Sequence, residues 1–343
     1  MNTLANYYED KTILVTGGVG SIGSELVKKL LEFNPKSIRI LDNNESGLFH
    51  LDHKLNSDTL RFFVGDIRDK ERLRLAIHDV DVVFHAAALK HVPLCEYNPF
   101  EAIKTNVLGT QNLIDVSLEE NVQKLITIST DKAVNPTSVM GATKLLAERL
   151  TISANYYKGF KKTCFSTVRF GNVLYTNGSV IPLFKNQISK GGPITITHKD
   201  MTRFMMSIEN AVKLVLKAAS IARGEEIFIL KMPTLKIEEL ADVMIEELSS
   251  LFGFMPNQIK KEYTGMRPGE KLFEELMTEE ESKYTYENSE MYIVIPNDLI
   301  KRDELFEVPQ SFFKTINKEY NSNSNVFLSK YEIKTLIKNL ELI

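Results

Sequence analysis

Cysteine is scarce in this chain: Cys95 and Cys164 are the only two in 343 residues. Two thiols cannot build the disulfide framework of a small secreted domain, and they suit a reducing compartment. Basic charge is not in excess, since the net charge is −3, which argues against nucleic acid as a partner. No apolar run approaches the roughly 18 residues of a membrane span, and Met1 to Asp10 lacks the basic-then-apolar pattern of a signal peptide. The expected location is the cytoplasm. What is present is an ordinary globular composition, 43% apolar and 25% charged. The length suits one large domain or two moderate ones, and no internal repeat is evident.

The first half alternates two kinds of segment. Thr12–Thr16, Ser37–Asp42, Leu60–Gly65, Val80–Ala86, Lys124–Thr130 and Thr163–Phe170 are short and apolar almost throughout, as parallel strands covered on both faces must be. Between them Ser21–Glu32, Glu45–Leu55, Lys70–Ile77, Ala102–Glu120 and Ala142–Tyr157 carry helical spacing. Repeated strand–helix units predict an α/β fold with a Rossmann-type doubly wound parallel sheet. After about Phe170 the rhythm breaks at Gly178, Gly191, Gly192 and Pro193. We therefore expect a Rossmann domain over residues 1–175, then a smaller carboxy-terminal substrate-binding lobe over 176–343 with some elements returning to the sheet. Helices are expected near Glu209–Ile221, Lys236–Leu251 and Lys330–Leu342, with Asn317–Asn325 a polar loop.

Thr16-Gly17-Gly18-Val19-Gly20-Ser21-Ile22-Gly23 follows the first strand and opens the first helix. Gly17, Gly20 and Gly23 permit a tight turn, close backbone approach to a pyrophosphate and close helix–strand packing. The helix start, at Ser21 and Ile22, offers free N–H groups to phosphate. Asp42 ends the next strand, where a carboxylate accepts from ribose hydroxyls and repels a 2′-phosphate. Asn43 and Asn44, not arginine, follow it, so the expected cofactor is NAD. Asp66, followed by Ile67, has two readings: contact with the adenine edge, or a cap for the helix that follows.

These motifs resemble the extended short-chain dehydrogenase/reductases. Further matching elements are His85-Ala86-Ala87-Ala88, Asn106, Ser129-Thr130-Asp131-Lys132, Lys144, Arg169-Phe170-Gly171-Asn172, Thr202-Arg203-Phe204 and Arg267-Pro268-Gly269-Glu270-Lys271. Within that superfamily, Ala87-Ala88-Leu89-Lys90-His91-Val92-Pro93 with Ser129-Thr130-Asp131-Lys132-Ala133 resembles the nucleotide-sugar 4,6-dehydratases acting on UDP-N-acetylglucosamine in polysaccharide and glycan biosynthesis. The resemblance implies an NAD-dependent lyase and a homo-oligomer. It also implies cofactor contacts from Ala86, Ala87, Ala88, Asn106 and Lys144, and substrate contacts from Lys90, His91, Asn172, Arg203, Arg267 and Glu270. The superfamily's usual Tyr-x-x-x-Lys pair is here Met140-Gly141-Ala142-Thr143-Lys144. Met cannot ionise, so tyrosine's role must pass to another group. Methionine here also marks the branch thought to retain configuration at C5.

The implied reaction is an internal redox: hydride leaves C4, the ketone acidifies C5–H, the C6 hydroxyl departs as water, and the hydride returns to C6. The expected roles are Asp131 as acid to the C6 oxygen and Lys132 as the C5 base. Thr130 would handle the C4 hydroxyl, and Lys144 the nicotinamide ribose. A basic Lys132 should have a lowered pKa, with Lys90 the candidate neighbour. The bland alternative for Asp131–Lys132 is a surface ion pair; for Arg267 and Glu270 it is a salt bridge between lobes. No metal is expected, because His85 and His91 stand in no ligand-spaced cluster, and Cys95 is read as packing. Three rival functions stay open: action on GDP-N-acetylglucosamine, a nucleotide-sugar 4-epimerase, and a non-catalytic NAD-binding protein.

Overall fold

The computed structural model describes residues 2–174, 179–295, 309–316, 318–323 and 326–338. Gly178, Asn317, Ser324, Asn325 and the tail of the expected final helix beyond Lys338 lie outside the described residues. Among the described residues ten strands form the main sheet: β1 (Thr12–Thr16), β2 (Ser37–Asp42), β3 (Leu60–Val64), β4 (Val82–His85), β5 (Lys124–Ile128), β6 (Cys164–Arg169), β7 (Ile227–Leu230), β8 (Thr285–Glu287), β9 (Met291–Val294) and β10 (Phe313–Lys314). Their order is β10-β8-β9-β7-β6-β5-β4-β1-β2-β3. Strands β1 to β7 pair in parallel, and β9, β8 and β10 extend the sheet by antiparallel pairing. The strand order reverses between β1 and β4, where ligands of open α/β sheets bind beyond the strands' carboxyl ends.

Helices cover both faces. Ser21–Leu31 packs Leu26 and Leu30 with Val215 and Leu216 of Ile208–Ile221 on one side. Lys70–Ile77 and Gly109–Glu119 supply Leu73, Ile77, Leu113 and Ile114 to the other. Each such fully buried side chain contributes roughly 1.5–3 kcal/mol. A short helix over Asn2–Tyr8, not anticipated from the sequence, closes one end: the Tyr8 hydroxyl donates to the Leu216 carbonyl at 2.7 Å.

The expected single helix Ala102–Glu120 is instead three pieces. Pro99–Ala102 is α-helical, Ile103–Leu108 is a π-helix, and Gly109–Glu119 is α-helical again. Such π segments are rare insertions in α-helices, frequent at functional sites. Within this one lies Asn106: its amide donates to the Leu89 carbonyl at 3.0 Å, and its oxygen accepts from the Leu89 N–H at 2.8 Å.

A second core lies in the carboxy-terminal lobe. Helices Val180–Ser189, Ile237–Leu248 and Lys330–Lys338 bring Phe184, Ile188, Leu240, Met244, Ile333 and Ile337 together. The stretch read as a polar loop contains a strand, Tyr320–Asn321, paired with Glu275–Met277. Long-range packing overrides its local polarity: the Tyr320 ring lies 4.8 Å from Phe204 and 5.0 Å from Tyr292. Arg169, at the end of β6, joins this half to the Rossmann core. It holds Glu148 at 2.8 Å and Glu281 at 2.9 Å while itself only 1% exposed.

Candidate active site

The glycine turn is built as a phosphate cradle. Gly17 has φ +68°, a left-handed conformation that favours glycine, and a Cβ there would stand 2.6 Å from the Ala87 nitrogen. A Cβ on Gly23 would meet the Gly17 oxygen at 2.1 Å. Gly20, at the helix N-cap, offers no side-chain cap, whereas Asn44 and Asp69 cap the next two helices. The first-turn N–H groups are thus left for an anion. The Asp42 carboxylate accepts from the Val19 N–H at 3.1 Å and the Asn44 N–H at 3.0 Å. It is thereby held at the strand end.

Asp66 does not cap the helix that follows. The helix cap is Asp69, which accepts from the Arg72 N–H at 3.0 Å. Asp66 instead clasps the Arg68 guanidinium at 2.6 Å, which lowers its pKa. Ile67 is buried and touches the position a Gly109 side chain would fill. His85 is a structural residue. Thr110 donates its hydroxyl to the Asn106 carbonyl, so it must accept from His85 Nε2 at 3.0 Å, leaving Nδ1 to accept from Thr16 at 2.8 Å. Burial, then the charge of Lys144, lowers the His85 pKa to about 3.

A cavity of about 450 Å³ opens beyond the carboxyl ends of the strands. Ile22, Ala86, Ala88, Met140 and Lys144 line it, as do Asn172, Arg203, Arg267 and Glu270, with Lys90 and His91 also on its wall. Lys144 donates to the Ile128 carbonyl at 2.5 Å, and burial lowers its pKa to about 8 although Glu148 opposes that. Met140 packs with Cys95 and Ala102. Asn106 lies behind the wall, where it fixes the Leu89 backbone.

Strand β5 ends at Ile128, two residues earlier than expected, and Asp131–Ala133 coils into a 3₁₀ turn. This turn gathers Thr130, Asp131 and Lys132 into one cluster. The Thr130 hydroxyl donates to Asp131 Oδ1 at 2.8 Å, and Lys132 Nζ reaches the same oxygen at 2.9 Å and Asn172 at 3.3 Å. Thr130 and Lys132 face the cavity. Asp131 is 0% exposed, so the surface-ion-pair alternative is excluded. Its seclusion also revises the expected direct acid role: its contact with the cavity runs through Thr130 and Lys132.

The expected lowering of the Lys132 pKa is also corrected. Burial does push it down, but the carboxylates of Asp131 and Glu274 outweigh burial and raise it. Glu274 was missed by the sequence reading. It is 3% exposed, and its Oε1 stands 3.5 Å from Lys132 Nζ. No sequence pattern marks it, because it reaches the cluster from a distant loop.

Arg203 donates to the carbonyls of Thr202 at 2.7 Å and Lys271 at 2.9 Å, and lies 3.8 Å from Glu270. Glu270 also accepts from the Arg267 N–H at 3.1 Å, which shapes the 267–271 loop. Cys95 is buried in a small apolar cluster, and burial raises its pKa. Among the described residues no group of three metal-ligating side chains stands together, and no helix is long and apolar enough to cross a membrane.

The parallel sheet, the glycine cradle and the lysine one helix turn beyond Met140 define a Rossmann-type protein of the short-chain dehydrogenase/reductase class. Residues 13–296 match the polysaccharide biosynthesis protein family, and the chain belongs to it. A Methanocaldococcus jannaschii chain called an uncharacterized membrane protein is 60% identical over 99% of both chains. A Campylobacter jejuni UDP-N-acetylglucosamine 4,6-dehydratase (inverting) is 44% identical over 88% of each. The crystal structure of Pen from Bacillus thuringiensis superposes with a TM-score of 0.89 at 42% identity, covering 98% of this chain and 100% of that one. A Rickettsia felis UDP-glucose 4-epimerase is 37% identical over 98% of both chains. DesIV, a dTDP-glucose 4,6-dehydratase of Streptomyces venezuelae with NAD bound, matches 76% of this chain and 86% of that one at TM-score 0.67 and 25% identity.

Proposed function

We propose that this protein is an NAD-dependent nucleotide-sugar 4,6-dehydratase that converts UDP-N-acetylglucosamine to its 4-keto-6-deoxy derivative. The observation that carries the proposal is the Thr130–Asp131–Lys132 cluster, which opens on the same cavity as Lys144 and the glycine cradle. An epimerase needs a proton acceptor for the C4 hydroxyl alone. A dehydratase needs a second base for C5–H and an acid for the departing C6 oxygen, and this cluster has groups for all three tasks. The cradle suits NAD: glycines stand where a Cβ would collide, and the Asp42 carboxylate is positioned for ribose hydroxyls. When bound, NAD supplies hydride acceptance from C4 and hydride return to C6.

The residues then move protons only. Thr130 accepts the C4 hydroxyl proton as its own proton passes to Asp131 Oδ1, so the pair performs the tyrosine's task in the presence of Met140. Asp131, now protonated, returns that proton through Thr130 to the C6 oxygen, which leaves as water. Direct transfer from Asp131 would require its buried side chain to turn toward the cavity; transfer through Thr130 requires no such movement. Lys132 removes the C5 proton and returns it. Positioned acid–base groups of this kind contribute about 10²–10⁴-fold each. Arg203, Arg267 and Glu270 take the nucleotide end, where an arginine bridges phosphate oxygens.

Incubation with UDP-N-acetylglucosamine and, in parallel, GDP-N-acetylglucosamine tests the reading by NMR. A 4-keto-6-deoxy product identifies the dehydratase and its nucleotide, UDP-N-acetylgalactosamine identifies an epimerase, and neither leaves a binding protein. The proposed outcome at C5 is retention, on the basis of Met140. The Campylobacter relative carries the opposite outcome in its name, and the H5 couplings of the product decide.

A further inference from the structure

Lys132 presents a contradiction: a C5 base must be neutral, yet two carboxylates hold its ammonium charged. Asp131 Oδ1 lies 2.9 Å and Glu274 Oε1 3.5 Å from its nitrogen. Glu274 resembles no ordinary ion-pair partner. It is 3% exposed, its Oε2 is buried without a hydrogen-bond partner among the described residues, and the Arg203 guanidinium approaches only to 3.8 Å. Asp131 Oδ2 is likewise buried with no hydrogen-bond partner among the described residues. A carboxylate left this short of donors is a poor anion and a good proton acceptor.

We propose that Glu274 takes the ammonium proton of Lys132, so that the amine is neutral when it meets the sugar C5–H. The inference rests on the dehydratase reading. Its timing follows from the cluster. Once the C4 proton has reached Asp131, the nearer of the two anions holding the Lys132 charge is gone, while Arg203 still disfavours that charge. An N–H bond of Lys132 then breaks as an O–H bond forms on Glu274. The site keeps its net charge, so no proton need come from or go to water. The amine takes the C5 proton, and the electron pair stays in the sugar as the enolate of the 4-ketone. After hydride has reached C6, Lys132 returns the proton to C5 and Glu274 returns its own to Lys132. Burial favours the protonated form of Glu274, as does Asp131, while Lys132, Arg203 and Lys271 oppose it; the balance raises its pKa. Glu274 acts through Lys132 and need not touch the sugar: it faces a side cavity of about 180 Å³ that shares Lys132 and Arg203 with the main one.

The test is the pH profile of C5 hydrogen exchange in D₂O, read by NMR on the nucleotide sugar, for wild type, Glu274→Gln and Glu274→Asp. Internal transfer makes the wild-type rate flat across neutral pH. Without Glu274 the Lys132 proton must leave to solvent, so Glu274→Gln should be slower by about 10²-fold at pH 7. Its rate should then rise about tenfold per pH unit, as loss of one proton to solvent requires. Glu274→Asp should restore the flat profile. A Glu274→Gln enzyme with the wild-type rate overturns the inference, and so does a slow one with a flat profile, which is the mark of a merely structural loss. If Glu274→Gln does not fold, wild type carrying ¹³C-carboxyl glutamate decides. A protonated glutamate carbonyl band in the infrared on turnover supports the inference, and its absence overturns it. No C5 exchange and no product from wild type would instead remove the dehydratase reading itself.

Discussion

Replacing Arg169 by Met should expose how the two halves of the protein are held together. The guanidinium is 1% exposed and makes three hydrogen bonds to Glu148 at 2.8–3.1 Å, one to Glu281 at 3.0 Å and one to the Leu276 carbonyl at 3.3 Å. Methionine fills most of the volume but strands two carboxylates. Breaking a buried pair in this way costs about 3–5 kcal/mol. With an unfolding entropy of about 2.1 cal/mol/K per residue over 343 residues, the expected fall in Tm is ~4–7 °C. The pH dependence discriminates further. In the native protein burial opposes the Glu281 charge, but Arg169 outweighs it and lowers the pKa. That contribution to stability is therefore present above the ordinary carboxylate pKa and is lost as pH falls through the lowered one. Without Arg169 the largest influence left is burial, which raises the Glu281 pKa against the smaller opposition of the Thr278 N–H and Arg149, so the variant's deficit should shrink between pH 7 and pH 5. Thermal and urea unfolding at both pH values measure this. A deficit below about 1 kcal/mol, or one identical at the two pH values, would refute the account of Arg169 as the buried cation for both carboxylates.

Other outcomes follow from the same geometry. Gly23→Ala places a methyl 2.1 Å from the Gly17 oxygen, so NADH affinity, followed by fluorescence titration, should fall at least about tenfold, the equivalent of 1.4 kcal/mol; unchanged affinity removes the cradle assignment. Asp131→Asn cannot store the C4 proton, and turnover should drop by about 10²–10⁴-fold with NAD binding intact, whereas undiminished product formation eliminates its role. Lys144 has its pKa lowered to about 8 by burial, so if its charge serves cofactor binding, NAD affinity measured by calorimetry should weaken as pH rises past 8. Because Lys144 binds fewer protons folded than unfolded between about 8 and the ordinary lysine value, its linkage term should make stability rise with pH across that window. A Lys144→Met enzyme with the wild-type affinity profile would exclude Lys144 as its source.

Much of the Rossmann half was legible because its signals are local. Apolar strands, periodic helices and a glycine turn each follow from a few neighbouring residues, and β1, β2 and the helices Glu45–Leu55 and Lys70–Ile77 fall where spacing placed them. Gly17 and Asp42 could be singled out for the same reason, since their chemistry is written next to their strand ends, whereas Thr130, Lys132 and Lys144 were marked by the resemblance of their motifs. The π-helical Ile103–Leu108 was not legible, because the bonds of Asn106 to Leu89 that accompany it cross 17 residues. Nor was the strand at Tyr320, whose reason is aromatic contact with Phe204 and Tyr292.

By itself, the order of amino acids determined a doubly wound sheet and a glycine turn suited to a dinucleotide, since each depends on short spacing and side-chain chemistry, while the Thr130–Asp131–Lys132 triplet stood out through its resemblance. Only the tertiary structure decided the surroundings of that triplet. It buried Asp131 behind Thr130, and it brought Glu274 from a distant loop to join Asp131 in raising the Lys132 pKa against burial. Desolvation and charge pairing act through space, and no interval along the chain records them.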